Sequence, residues 1–203
     1  MEKPAFYDAV KPIDMFDPLA DFLGAFPQGH VRISYADCVT LAGHSCPTVA
    51  GAFLMAREGL AALYPDTLPH RSKILVELSG AEDSGVVGVV GHVIGYITGA
   101  GGIGGFKGIG GKFARNDRLR YGVDFDGDVR LTRMDIGTTV TLAYDPSAVP
   151  GDPRMKPLMQ KALQDKATPE EIATFQSLWQ GRTEAILTAR NTTPFLTLTK
   201  EPL

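Results

Sequence analysis

Two hydrophobic patterns alternate along the chain, and they predict both helices and strands. Helical spacing of apolar residues marks residues 14–26, 48–63, 84–98, 154–165 and 168–187. Runs typical of strands cover residues 73–78, 121–125, 128–133, 138–144 and 194–200. The two runs around Asp126-Gly127 predict a hairpin, and the last run alternates as an edge strand does. We therefore expect the middle of the chain to be rich in sheet.

Residues that favour helix starts stand before three of these segments. Asp17 followed by Pro18 predicts an N-cap and a first turn, and Asp83 is expected to cap the helix over residues 84–98. Thr168 is followed by Glu170 and Glu171, and an N-cap with an acidic first turn predicts the start of the last helix. The last two helices are expected to form a helical hairpin, whose apolar residues need either the core or a second subunit to cover them.

A change of composition near residue 145 divides the chain. Residues 145–153 (Asp-Pro-Ser-Ala-Val-Pro-Gly-Asp-Pro) are typical of a linker. We expect a core domain over residues 1–150 and a C-terminal helical extension over residues 151–203 that ends in the edge strand. A chain of 203 residues with 44% hydrophobic content is long enough for one substantial core.

Charge and composition make several partners improbable. The net charge is −3 and Lys and Arg form no long runs, so nucleic acid is not expected as a partner. The most apolar stretch, residues 84–103, contains His92 and seven glycines, which favours a buried helix and a glycine loop over a membrane span. The amino-terminal residues show no signal-peptide pattern and only two cysteines occur, which predicts a cytoplasmic protein with free thiols.

The strongest chemical signal is the run His44-Ser45-Cys46-Pro47, directly before the helix over residues 48–63. A helix amino terminus carries unpaired N–H groups and a partial positive charge, which favours a thiolate at Cys46. Zinc and copper prefer thiolate and imidazole ligands, so His44 and Cys46 are predicted metal ligands. Cys38 and His92 are the candidates to complete the shell, and an open position would accept a small-molecule ligand. The spacing matches no standard zinc finger.

Other interpretations of these residues stay open. Cys38 can equally be a buried hydrophobic residue, and His92 a hydrogen-bonded core residue. The His and Cys pair could ligate haem iron instead, or Cys46 could work with Cys38 in a thiol redox protein. A cysteine nucleophile with His44 as its base is disfavoured, because a separation of two positions places the base poorly unless the backbone turns sharply.

Residues 99–118, called the glycine loop below, are too rich in glycine for a regular element. The loop lacks the P-loop pattern, and it follows a helix where a dinucleotide fingerprint would follow a strand. Its Lys107, Lys112 and Arg115 are candidates for binding an anionic cofactor, although a solvated loop would look the same. If the protein is an enzyme, Cys46 and Glu82 are the candidate catalytic residues, and the loop is a candidate lid.

A likeness to a known family lies in residues 43–47 (Gly-His-Ser-Cys-Pro) with Gly51, in residues 83–86 (Asp-Ser-Gly-Val) and in the glycine loop. In these segments the chain resembles the FmdE family, which takes its name from a component of formylmethanofuran dehydrogenase. The resemblance covers residues 38–145. It implies a thioredoxin-like α+β core with a mixed five-stranded sheet flanked by helices, an active site able to hold zinc, and a homodimer. Ser84 stands where many relatives carry cysteine, Thr48 replaces a glycine, and no cysteine-rich finger follows. The chain therefore resembles the branch without a zinc finger.

Overall fold

A computed structural model describes residues 3–201, so residues 1–2 and 202–203 of the two predicted domains lie outside it. The helices are α1 (Phe6–Ala9), α2 (Pro18–Leu23), α3 (Tyr35–Ala42), α4 (Pro47–Leu63), α5 (Val87–Thr98), α6 (Met155–Leu163) and α7 (Pro169–Leu187). The strands are β1 (Ile13–Phe16), β2 (His30–Ile33), β3 (Ile74–Leu78), β4 (Leu119–Arg120), β5 (Val129–Arg133), β6 (Thr139–Tyr144) and β7 (Leu196–Glu201). The predicted α+β class is confirmed.

The main sheet has five strands in the order β4-β3-β5-β6-β7. The short strand β4 runs parallel to β3, whereas all other neighbours are antiparallel, so the predicted mixed five-stranded sheet is also confirmed. Strands β1 and β2 form a separate antiparallel pair. The inward residues of the central strands, such as Val76, Leu131 and Val140, are fully buried. One face of the sheet therefore packs against the hydrophobic core.

Helix α4 lies at the centre of the molecule. It packs against β5, β6 and β7 on the sheet, and against α3, α5 and α7 around it. Most of its residues from Val49 to Leu63 are buried, because small residues alternate with large apolar ones and let several neighbours approach together. Its amino-terminal end is therefore held in place by elements from both ends of the chain.

Helix α5 is the predicted buried helix that leads into the glycine loop. It packs on α4 and β3, and Gly99 ends it in the left-handed conformation. Within residues 3–201, no helix is both long enough and apolar enough to cross a lipid bilayer.

The predicted C-terminal helical pair is present. Helices α6 and α7 pack against each other, and Lys161 pairs with Glu171 across them. Helix α7 begins at Pro169, with Thr168 and Glu171 forming a reciprocal capping box. Its inner face covers α4, and β7 then pairs with β6 as the outer strand of the main sheet. The residues after 150 therefore complete the layers built by the residues before it.

Three local predictions were wrong. Residues 13–16 form β1 instead of the start of a helix, although Asp17 does cap α2 through the N–H groups of Leu19 and Ala20. Residues 121–125 form no strand, so the predicted hairpin is absent and β5 pairs with β3 and β6 instead. Helix α5 begins three residues later than predicted, and no side chain caps it, so Asp83 is not its N-cap.

Candidate functional site

The candidate site is the turn between α3 and α4. Gly43 ends α3 with φ +75°, a left-handed conformation that glycine adopts without strain and that reverses the chain sharply. Cys46 is the N-cap of α4, and its sulfur accepts a hydrogen bond from the Val49 N–H at 3.5 Å. Pro47 occupies the first helical position, where no N–H is needed. The turn thus points the Cys46 sulfur at the positive end of a 17-residue helix.

His44 and Cys46 are in direct contact. Nε2 of His44 lies 3.2 Å from Sγ of Cys46, while Nδ1 lies 2.9 Å from the Ala42 carbonyl oxygen. A carbonyl can only accept, so Nδ1 carries the proton of the neutral ring and Nε2 turns its lone pair toward the sulfur. His44 is exposed, whereas Cys46 is only 7% exposed, so the pair opens to solvent on the imidazole side. A separation of two positions was expected to keep the imidazole away from the thiol. The sharp turn at Gly43 brings the two side chains into contact instead.

Three aromatic side chains hold this turn, two through its backbone carbonyls and one through the Ser45 side chain, and sequence analysis did not identify any of them. The Tyr35 hydroxyl and the Ser45 hydroxyl lie 2.9 Å apart in the core. The Tyr144 hydroxyl donates to the Pro47 carbonyl, and the Trp179 indole N–H donates to the Ser45 carbonyl, each at 2.9 Å. Burial raises the pKa of both tyrosines, so their hydroxyls stay protonated.

Gly51 explains how Tyr144 reaches the turn. A Cβ atom built at Gly51 would overlap the Tyr144 ring, so only glycine lets the ring lie across this turn of α4. Gly51 belongs to the motif that suggested the FmdE resemblance, and it is the one sequence signal that could have indicated a large group packed here.

The other two predicted metal ligands lie elsewhere. Cys38 is fully buried on α3, and desolvation raises the pKa of its thiol to about 12. His92 is exposed on α5, where it lines a small cavity of about 170 Å³ together with Ala42 and Leu41. Within residues 3–201, no group of three or more His, Cys, Asp or Glu side chains has a geometry suited to a metal ion. His44 and Cys46 therefore stand as a pair.

The remaining candidates are also separated from that pair. Glu82 lies on the surface before α5 and lines a cleft between α5 and the glycine loop. Arg115 lines the same cleft, where it forms an ion pair with Asp17. Lys112 lines a different depression beside Arg118, and Lys107 is exposed. The three loop residues predicted to bind an anion thus do not converge on one point.

No protein-family model matches the chain, and no curated protein matches its sequence. The functional proposal therefore rests on the geometry of the site.

Proposed function

We propose that the protein binds a transition metal ion, zinc, through Nε2 of His44 and Sγ of Cys46, and that the metal holds a small-molecule ligand. The observation that carries the proposal is the 3.2 Å contact between these two atoms. Nitrogen and sulfur ligands of one tetrahedral zinc ion lie about 3.5 Å apart, as bond lengths of about 2.0 and 2.3 Å require. A small rotation of the exposed His44 side chain that moves Nε2 by a few tenths of an ångström would bring the two atoms to this separation.

The surroundings of the pair match those of metal ligands in two further ways. The Nδ1–H of His44 is bound to a backbone carbonyl, an arrangement that commonly orients a ligating imidazole. Sγ of Cys46 lies at the amino terminus of α4 and accepts a hydrogen bond from the Val49 N–H, which holds the sulfur in a fixed position beside the imidazole. The residues present thus fit half of a tetrahedral shell, and water or a ligand would supply the rest.

When bound, zinc would supply Lewis acidity at the positions that the protein leaves open. The chain would contribute orientation: His44 held by Ala42, Cys46 held by α4, and the turn between them clamped by Trp179. A role of Glu82 in proton transfer stays a prediction, since this side chain lines a different cleft.

A second candidate function rests on the same contact. A thiol whose proton can pass to a correctly oriented Nε2 at 3.2 Å is an activated nucleophile, and Cys46 would then attack an electrophilic substrate. Redox pairing with Cys38 gains no support, because that thiol is fully buried and its pKa is raised. Haem ligation stays an alternative that a visible absorption band on the purified protein would identify.

We also propose membership of the FmdE branch without a zinc finger, a cytoplasmic location and a homodimer. The left-handed Gly43, the N-cap Cys46 with Pro47, and the space that Gly51 leaves for Tyr144 give these four motif residues a structural reason, which supports the resemblance.

Cobalt substitution tests the metal proposal. Titration of Co²⁺ into chelator-treated protein should produce a thiolate-to-cobalt absorption band that saturates at one equivalent. The band should disappear in Cys46→Ser, weaken strongly in His44→Ala and persist in Cys38→Ser, which removes the other cysteine. A protein that gives no band, but whose Cys46 alkylates quickly and loses that speed in His44→Ala, would instead support the nucleophile.

A further inference from the structure

A cleft of about 730 Å³ separates α5 from the glycine loop, and its lining includes His92 but neither His44 nor Cys46. One wall is the end of α5 around Gly95 and Tyr96, and the other is the loop backbone from Ala100 to Phe106. Clefts of this size are typical of sites for small organic molecules. We call it the α5 cleft.

Backbone hydrogen bonds within the glycine loop give its wall of the cleft a defined conformation. The Gly101 N–H donates to the Arg115 carbonyl, and the N–H of Arg118 donates back to the Gly101 carbonyl. A Cβ at Gly101 would lie 2.9 Å from Gly105 Cα, and a Cβ at Gly105 would lie 2.8 Å from Asn116 Cα, so these parts of the loop pack together only because both residues are glycine. The glycines thus bring the loop backbone close to the cleft and hold it there.

One end of the α5 cleft carries an excess of positive charge. Arg71 and Arg115 both line the cleft, and both pair with the buried carboxylate of Asp17, at 3.1 and 2.6 Å. Two guanidinium groups against one carboxylate leave one positive charge uncompensated. Arg71 also donates to the carbonyls of Tyr96 and Ile97, whereas Arg115 uses only Nη2 on Asp17.

Nε of Arg115 is buried and finds no acceptor among residues 3–201. A buried N–H of a charged group without a partner is costly, and native structures rarely leave one without a reason. The Arg115 side chain is 18% exposed and lines the cleft, so an acidic group bound there would contact the accessible part of its guanidinium and balance the extra charge.

Much of the cleft lining is apolar and open to solvent. Its lining includes the exposed side chains of Leu41, Tyr96, Ile103 and Phe106, and Ile103 is 88% exposed. Exposed apolar side chains gathered around a concave site favour an apolar ligand body.

An acidic residue in the lining limits the charge of the ligand. Glu82 and Tyr121 both line the cleft, and the buried Tyr121 hydroxyl also finds no partner among residues 3–201. Burial and the neighbouring Glu82 raise the pKa of Tyr121, so its hydroxyl stays protonated. A second acidic group close to Glu82 would be repelled by it.

We propose that the α5 cleft binds an organic monoanion, with its acidic group at Arg115 and its apolar body against Tyr96, Ile103 and Phe106. The site is independent of the proposed metal site, and it gives Arg115 alone, without Lys107 or Lys112, the anion-binding role expected of the loop.

The test compares two fluorescent probes that differ only in an acidic group. 1-Anilinonaphthalene-8-sulfonate carries a sulfonate, and N-phenyl-1-naphthylamine has the same aromatic body without it. We expect saturable binding of the sulfonate at one site per chain, at least fivefold tighter than binding of the neutral probe. Raising the salt concentration should reduce this difference.

Substitutions at exposed positions separate the cleft from nonspecific apolar surface. Ile103→Glu should weaken sulfonate binding at least fivefold more than Ile103→Gln, because only glutamate repels the acidic group. Ile109→Glu places the same charge on the same loop outside the cleft lining, at a residue that is 45% exposed, and should change binding less than twofold.

Binding of the sulfonate should also be weakened in Arg115→Lys and unchanged in Cys46→Ser. Equal binding of the two probes, or equal effects of Ile103→Glu and Ile109→Glu, would overturn the proposal. If Arg115→Lys fails to fold because Asp17 loses one of its two guanidinium partners, the Ile103 series still decides, since the Ile103 side chain is 88% exposed and its substitution removes no buried contact.

Discussion

The indole N–H of Trp179 donates a 2.9 Å hydrogen bond to the carbonyl of Ser45, a residue 134 positions earlier in the chain. Ser45 stands between the two residues of the candidate site, so helix α7 directly fixes the backbone that positions His44 and Cys46. The C-terminal helical pair thus helps to position the candidate site, and substitutions in α7 should affect the conformation of the turn at Ser45.

Trp179 is the only tryptophan, so its indole N–H gives a single identifiable proton signal. We expect this proton to exchange slowly in the folded protein, at the rate set by global unfolding. Trp179→Phe should lower the free energy of unfolding by about 1 kcal/mol, the typical net value of one hydrogen bond. Fast exchange of the indole proton in the native protein would contradict the contact.

Gly51→Ala should destabilise the protein by about 2 kcal/mol, because the added methyl group overlaps the Tyr144 ring. The control is Gly181→Ala on α7, where nothing lies within 4 Å of the new Cβ, and the change should stabilise by up to about 1 kcal/mol. Urea unfolding measures both. In a Tyr144→Ala background the cost at Gly51 should vanish, and an unchanged cost there would refute the steric explanation.

Asp17 should give the protein a stability that depends on pH. Burial alone would raise the pKa of this carboxyl, but the Ala20 N–H and the Arg115 guanidinium outweigh burial and lower it. A lowered pKa means that Asp17 stabilises the fold above the unfolded pKa of about 3.9 and that this contribution is lost as the pH falls through the folded value.

Asp17→Asn should therefore cost about 3 kcal/mol at pH 7, because it leaves Arg71 and Arg115 without their carboxylate. The loss of stability on going to pH 3 should be smaller in the variant than in the native protein. Asp14→Asn is the matched control, since its partner Arg32 is exposed and the change should cost less than about 1 kcal/mol. Equal costs for the two variants would contradict the account of the buried cluster.

Cys38 should not react with thiol reagents in the folded protein at pH 7. It is fully buried and its thiol pKa is raised to about 12. A colorimetric thiol titration should find no reactive thiol in folded Cys46→Ser and one after denaturant is added. Rapid reaction of Cys38 in the folded variant would show that the core around α3 opens readily.

The sequence predicted best those elements whose signals are local. The capping box at Thr168 and the pair Cys46-Pro47 define the starts of α7 and α4 through groups within three residues, so both helices were found at their observed starts or one residue away. The predictions failed where distant partners decide. Residues 13–16 form a strand because β2 pairs with them, and residues 121–125 lose their strand because β5 pairs with β3.

The candidate site shows the same division. The chemistry of His44 and Cys46 could be predicted from their types and from the helix start, but their contact depends on the left-handed turn at Gly43 and on a ring rotated toward Ala42. The clamp by Tyr144 and Trp179 depends on tertiary packing that no local pattern encodes.

The most direct measurement of the central claim is the zinc content of the purified protein by elemental analysis. We predict one zinc per chain in the native protein and in Cys38→Ser, and a large loss in both His44→Ala and Cys46→Ser. Native-like circular dichroism would show that the variants are folded. Unchanged zinc in folded His44→Ala and Cys46→Ser would contradict the account.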